Sequence, residues 1–385
     1  NQGDYIIITS KRLFDDGSGN NYINEYKNYR ASIAGGSYNP LVVDVDDIYN
    51  EFGYGYNYHP QSIKNFLHFA HTNIAWTAKP KSVFLIGKGI DYKDYLTYSN
   101  APSTTYPFPV IPSFGEPCSD NLFTDFNFTS KPQIPIGRLP VRLPNDIRIY
   151  LEKIKDHEAA VANTSNQVSD SLLWRKNVLH IAGAKKANEQ IQVLAPLLRQ
   201  EAQIKDTLFG ANVTTIKKST TSAVETANST LIDQLFKDGI NIVQFFGHAS
   251  SSTLDYNLDN PELMTNYQRY PVFIANGCGV GNVFILNSQR TLGEKFVLSP
   301  VGGSIAFIAS DNTGLSDKLG TYTDSLYKQF GITSYGKNIG TQILKNIASL
   351  NLSIDPLLRQ HAEQIILNGD PATSMHHFSK PDYAV

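Results

Sequence analysis

The chain is poor in cysteine, in long apolar runs and in charge. Only two cysteines, Cys118 and Cys278, occur in 385 residues. That number excludes a disulfide framework and a cysteine-rich zinc site. A single Cys118–Cys278 bridge is the alternative to two free thiols, although the pair lies far apart in sequence and in unlike contexts. No apolar run approaches the roughly 18 residues of a membrane span, and no signal peptide opens the chain. The sequence begins within a strand-like run, Tyr5-Ile-Ile-Ile-Thr9, and stops soon after a turn at Asn368-Gly-Asp-Pro371. Both ends read as cut from something longer, so the missing signal says nothing of destination. Charged residues make up 18% and the formal net charge is −2. With no polyanion-binding footprint, nucleic acid is a poor partner for this chain.

What is present fits a folded protein. Hydrophobic residues reach 41%, enough for a packed core, and 21 Tyr and 20 Phe outweigh the modest charge, a mix common in secreted bacterial proteins. The length suits two α/β units sharing an interface. Apolar runs of strand length alternate with helical patterns, the signature of parallel sheets with crossover helices. Strands are expected at Tyr5–Thr9, Leu41–Val45, Ser82–Gly87 and Gln133–Ile136, with helices at Tyr22–Ile33, Gln61–Thr77 and Pro144–Val161. Polarity then rises over Ala162–Ser171, which places a boundary between subdomains 1–165 and 166–385. Beyond it, strands are expected at Asn177–Ala182, Val213–Lys217, Ile240–Phe246, Val272–Ala275 and Ser304–Ala309. Helices are expected at Ala187–Gln203, Val224–Lys237, Thr291–Leu298, Asp317–Phe330, Gly336–Ser349 and Pro356–Leu367. The proline-rich stretch Tyr92–Phe114 reads as a long loop, either functional or a cover over the domain edge.

Two strand ends carry chemistry. Asn241-Ile-Val-Gln-Phe-Phe-Gly-His248 delivers an imidazole just past a buried strand, and Pro271-Val-Phe-Ile-Ala-Asn-Gly-Cys278 delivers a thiol in the same way. In an open parallel sheet the carboxyl ends of neighbouring strands face one crevice. If the two strands adjoin, His248 can hold the Cys278 thiolate ready for attack. Gly247 and Gly277 leave room for substrate backbone, and the N–H groups of Ala249 and Cys278 are candidate oxyanion donors. No cofactor is required by this chemistry, and a structural calcium cannot be read from the sequence. Alone, each residue reads as an ordinary core cysteine or structural histidine. A rival reading takes Gly277-Cys-Gly-Val-Gly281 as a dinucleotide-binding turn, but Asn282 stands where the third glycine belongs. A catalytically silent binding module is a third.

At these residues the chain resembles the gingipain family of caspase-like cysteine peptidases. Cys118-Ser-Asp-Asn-Leu-Phe123 with Ile136-Gly-Arg-Leu-Pro-Val141, and Lys153-Ile-Lys-Asp-His-Glu158, are similar to family signatures. Gly247-His248 and Gly277-Cys278 follow in the family's order, then Gly302-Gly-Ser-Ile-Ala-Phe-Ile-Ala-Ser310 and Gly369-Asp-Pro371. The resemblance implies two caspase-like subdomains, each a mainly parallel sheet flanked by helices, with the second catalytic. It also implies a polypeptide substrate, secretion or surface location in a bacterium, and an immunoglobulin-like domain following. Some relatives are sortases of the type IX secretion system, so a transpeptidase and secretion-system partners belong to the expectation. Three departures stand out. Ala249-Ser250 replaces the usual Gly-Ser, Lys185 stands where the family has its histidine-orienting acid, and the loop carrying the arginine-specificity acid is shortened. Arginine specificity is therefore not carried over. The resemblance also places the loop Ser310–Ser316 at the specificity pocket, with Leu315 as a wall and Asp311 as the nearest acid to serve a basic substrate residue. The alternative is that Asp311 begins a turn with Asn312 and Gly314. Asp120 and Arg138 are expected to be structural, as a turn-capping carboxylate and a guanidinium at the subdomain interface.

Overall fold

Strands that are apolar on every residue need cover on both faces, and this chain supplies it with helices between nearly every pair. The computed structural model describes all residues except 1, 92, 93, 95, 97–108, 163–169, 223, 225, 227, 287, 288 and 380–385. The boundary read at 165/166 and most of the loop read at 92–114 lie outside the described residues.

The first half runs β1 (Tyr5–Thr9), α1 (Tyr22–Ala31), β2 (Pro40–Asp44), α2 (Val45–Phe52), α3 (Pro60–Thr72), β3 (Ser82–Ile86), β4 (Ile136–Leu139) and α4 (Pro144–Ala162). The second runs β5 (Asn177–Ala182), α5 (Ala187–Lys205), β6 (Asn212–Lys217), α6 (Ser229–Asp238), β7 (Ile242–Phe246), β8 (Val272–Asn276), α7 (Leu292–Leu298), β9 (Ala306–Ser310), α8 (Ser316–Lys328), α9 (Ile339–Ser349), α10 (Pro356–Gln364) and β10 (Ile365–Asn368). All form one ten-stranded sheet in the order β2-β1-β3-β4-β10-β9-β8-β7-β5-β6. Side-chain alternation sorts the first half into two layers: Ile6, Ile8, Val83 and Leu85 pack with α2 and α3, while Tyr5, Ile7, Phe84 and Ile86 face α1 and α4.

Besides helix ends that shift by a few residues, two expectations about strands need correction. The strand read at Gln133–Ile136 lies at Ile136–Leu139, because Pro135 has no N–H for a ladder. The helix read at Pro356–Leu367 ends at Gln364, and Ile365–Asn368 form β10. A run of three apolar residues ending a helical pattern carries no period of its own, and here the open sheet edge claims it. That strand joins the halves: it is parallel to β4 and antiparallel to β9. Every other pairing is parallel. Strand direction therefore reverses at β10–β9, and the carboxyl ends of the two halves open on opposite edges. Helix α2 was not legible, since Val45–Phe52 directly continues a strand.

Candidate active site

The strands that deliver the candidate residues are neighbours. β7 and β8 pair in parallel with Phe246 opposite Asn276, and Gly247 N–H extends the ladder to Asn276 O at 3.0 Å. His248 and Cys278 each stand two residues beyond that matched pair, so both leave the sheet at the same level. The loops then nearly touch. A Cβ on Gly277 would lie 2.5 Å from the Ala249 Cβ, which forbids any larger residue at 277. Gly279 has φ +63° and turns the chain back under Cys278, where its N–H donates to Asn312 O at 2.8 Å.

Cys278 and His248 are exposed and line one cleft of about 280 Å³. That lies below the roughly 300–1,000 Å³ of small-molecule sites, a size for one side chain. Gly247, Gly277 and Leu315 line it, with Val193, Gln192 and Leu319. His248 also borders a second cleft of about 230 Å³ with Lys185, Ala249, Ser250 and Asp255. The imidazole thus stands on a ridge between two hollows. Gly314 N–H points at the Cys278 sulfur at 3.4 Å. The N–H groups of Ala249 and Cys278 donate to no described residue.

An acid does lie beside His248, four residues after Lys185. His248 Nε2 lies 3.4 Å from Glu189 Oε2, and the Lys186 N–H and ammonium face the same carboxylate. The hydrogen bond from His248, then those from the backbone N–H groups of Lys186 and Lys185, hold the Glu189 carboxyl below its ordinary pKa. Lys185 itself is exposed on the second cleft. Glu189 is the third residue of α5, and helix starts favour an acid there for capping alone. Its sequence signal was therefore indistinguishable from helix chemistry.

The structure moves Asp311 out of the substrate cleft. Its side chain is buried behind the Cys278 loop, where Oδ2 accepts from Cys118 N–H at 2.9 Å. Burial carries its carboxyl up to about 7. A residue directly after β9 begins the loop, and its side chain falls on the inner face while Leu315, four residues on, reaches the cleft. Cys118 and Cys278 are both free thiols, Cys118 buried and pushed far up by desolvation. Arg138 and Asp120 are structural in a different way from the expected turn cap. They form a buried bidentate pair at 2.7 and 2.8 Å, and Arg138 also donates to Ile111 O and Pro112 O. Among the described residues, no group of three or more His, Cys, Asp or Glu is placed to hold a metal ion.

Peptidase family C25 matches residues 1–376. The chain belongs to that family. It is a cysteine-type peptidase of the gingipain kind, with the caspase-like fold, and its substrate is a polypeptide. Its fold is similar to the Arg-specific cysteine proteinase gingipain R (RgpB), with TM-score 0.70 at 15% identity, covering 98% of this chain and 80% of that one. The complex of Porphyromonas gingivalis RgpB pro- and mature domains gives TM-score 0.70 at 14% identity, covering 98% and 81%. A structure described as a protease gives TM-score 0.68 at 14%, covering 96% and 78%. No match was found among curated protein sequences. No helix among the described residues is long and apolar enough to cross a membrane.

Proposed function

We propose that this C25 peptidase cleaves peptide bonds with Cys278 as nucleophile, His248 as proton carrier and Glu189 as the acid that orients the imidazole. The observation that carries the reading is the matched exit of His248 and Cys278 from paired strands into one cleft. With Nε2 turned to Glu189, Nδ1 is the nitrogen left for the sulfur. The thiolate attacks the carbonyl carbon, and the oxyanion is received by the N–H groups of Cys278 and Ala249. His248 gives its proton to the leaving nitrogen as the C–N bond breaks, which leaves a thioacyl enzyme. Water, losing a proton to His248, then releases the acid product and the thiol. The two hollows flanking His248 suit the acyl side and the leaving side of this reaction. The chemistry calls for no cofactor.

The acyl-side cleft supports an uncharged side chain immediately before the scissile bond. Its walls include Val193, Leu315 and Leu319, its carboxylate Glu189 is engaged by His248, and Asp311 lies elsewhere. A basic side chain would enter this cleft without a free counter-charge, an unfavourable burial. Kinship with the gingipains supports a secreted or surface location, a following immunoglobulin-like domain and contact with type IX secretion components.

Labelling with thiol-reactive peptidyl inhibitors that differ at this one residue tests the reading. Modification is expected at Cys278 alone, faster with Leu or Met than with Arg or Lys. Gln192, exposed on the cleft wall, offers a gain-of-function check: Gln192→Glu should raise reactivity toward basic residues by about tenfold, the worth of one charge-assisted contact. Modification of Cys118, or a basic preference in the unaltered protein, would refute the assignment. Attachment of an added amine to the acyl product, in place of hydrolysis, would identify a sortase-type transpeptidase.

A further inference from the structure

The loop that carries Gly314 and Leu315 serves the catalytic cleft twice, through its N–H on the Cys278 sulfur and through its apolar wall. It is held from behind by α10. Gln364 Nε2 donates to Thr313 O at 2.8 Å, and Asp311 N–H donates to Gln364 O at 2.9 Å. The third hold is different in kind. Leu315 N–H, the N-cap amide of α8, donates to His361 Nε2 at 2.9 Å, while His361 Nδ1 lies 2.7 Å from Leu357 O.

Both partners of this imidazole are one-way groups. A carbonyl only accepts and an amide N–H only donates, so the ring must carry its hydrogen on Nδ1 and keep a lone pair on Nε2. We infer that His361, buried behind the cleft, is a positioning residue that holds the Gly314–Leu315 loop on Cys278 only while its imidazole is neutral. A proton on Nε2 sets two donors face to face and releases Leu315. Gly314 then leaves the sulfur, and the cleft wall opens. The groups facing His361 are Asp317 and Lys318 of α8 and Asp355 at the start of α10; Lys318 bridges both acids, at 3.1 and 2.7 Å. Burial, the largest influence, keeps His361 below the ordinary histidine value, so the loop stays closed at neutral pH and loosens under acid.

This role rests on the peptidase mechanism above, and two readouts separate them. His361→Gln places a carbonyl oxygen near the Nε2 position, an acceptor that no proton blocks. His361→Asn reaches only the Nδ1 position and leaves Leu315 N–H without an acceptor. Hydrogen exchange of the 311–316 segment, read by mass spectrometry on the whole chain, reports the loop; kcat/KM per folded molecule reports the chemistry. At pH 7 we expect His361→Asn to exchange faster in this segment and to lose about tenfold in kcat/KM, from one lost hydrogen bond at the reacting loop. His361→Gln should stay within about threefold of the parent and lose the parent's acid-induced rise in exchange. Equal behaviour of the two variants, or loop exchange in the unaltered protein that ignores pH, overturns the role. If the mechanism were wrong but this role right, turnover would be absent while exchange still separated the two variants. If either variant unfolds, the nitrogen-15 shifts of His361 in the unaltered protein decide: an Nε2–H or charged ring at pH 7 refutes it.

Discussion

The seam between the halves and the catalytic edge handle charge in opposite ways. At the seam Arg138 is buried against Asp120 and three carbonyls, and Arg30 is buried between Asp370 and Glu158 at 2.7 and 2.9 Å. Asp370, from the turn after β10, also accepts from Tyr5 and Tyr26 at 2.6 and 2.5 Å. Such groups are already committed to partners inside the fold. At the edge, Cys278 and His248 stand in the open, and the imidazole meets Glu189 through a single long contact of 3.4 Å. Saturated charge builds the frame, while loosely held groups are free to change partners during a reaction. The same contrast separates the two cysteines.

The sharpest way to break this comparison is to exchange the cysteines for alanine. Cys278→Ala should lower kcat by about 10³-fold or more, as loss of a catalytic nucleophile does. Cys118→Ala should leave kcat within about threefold and cost about 1 kcal/mol of stability, because Cys118 packs among Val283, Phe284 and Ile366. Steady-state rates normalised by active-site titration check both. Inactivity of a folded Cys118→Ala protein would erase the distinction.

Next in size is the seam itself. Arg138→Met leaves Asp120 buried without its partner, a change worth about 3–5 kcal/mol. Denaturant titration should show that loss, while the fraction still folded keeps its kcat. A stable Arg138→Met protein with dead chemistry would move Arg138 from frame to site.

Buried histidines make the frame sensitive to acid. Burial pushes His157 down to about 4, with Nε2 on Ser374 O and its ring against His376. The unfolded chain takes up a proton near pH 6.5 and the folded chain resists until about 4. Stability from this group is therefore complete above the unfolded value and is lost as pH falls toward 4, by about 3 kcal/mol in total. His180, lowered to about 3, and His376 act in the same direction, whereas Asp311, raised to about 7, acts in the opposite one. The comparison of the unaltered protein with His157→Asn isolates the His157 share. The pH slope of unfolding free energy between 6.5 and 4 should be shallower in the variant, and an unchanged slope would count against a buried neutral His157.

How much was legible follows the same division. Strands buried on both faces announce themselves as apolar runs, so β1, β5 and β7 were readable to within two residues. The common exit of His248 and Cys278 at one sheet edge was readable because each follows such a run, with glycine before it. β10 was not, since its identity as a strand depends on the empty place between β4 and β9 rather than on its own pattern. The destination of Asp311 was equally hidden: its partner, Cys118 N–H, lies 193 residues away. Helix position alone cannot distinguish Glu189 as a capping residue from Glu189 as a histidine partner.

That ambiguity gives the smallest of these effects and the finest test. A carboxylate beside a catalytic imidazole fixes the ring and stabilises the imidazolium formed during proton transfer. Here the contact is long and the side chains lie open to water, so the attraction is weakened by the high local dielectric. Glu189→Gln should therefore lower kcat by about tenfold, with KM nearly unchanged. Adding Lys185→Glu to that variant puts an acid at the position where the resemblance to the gingipains leads one to expect it. Lys185 borders the second cleft and not the first, so the added carboxylate should restore little of the rate. Rescue to within about twofold of the parent would mean that His248 accepts an acid from either side. No loss in Glu189→Gln itself would leave that glutamate as a helix cap and the enzyme as a dyad.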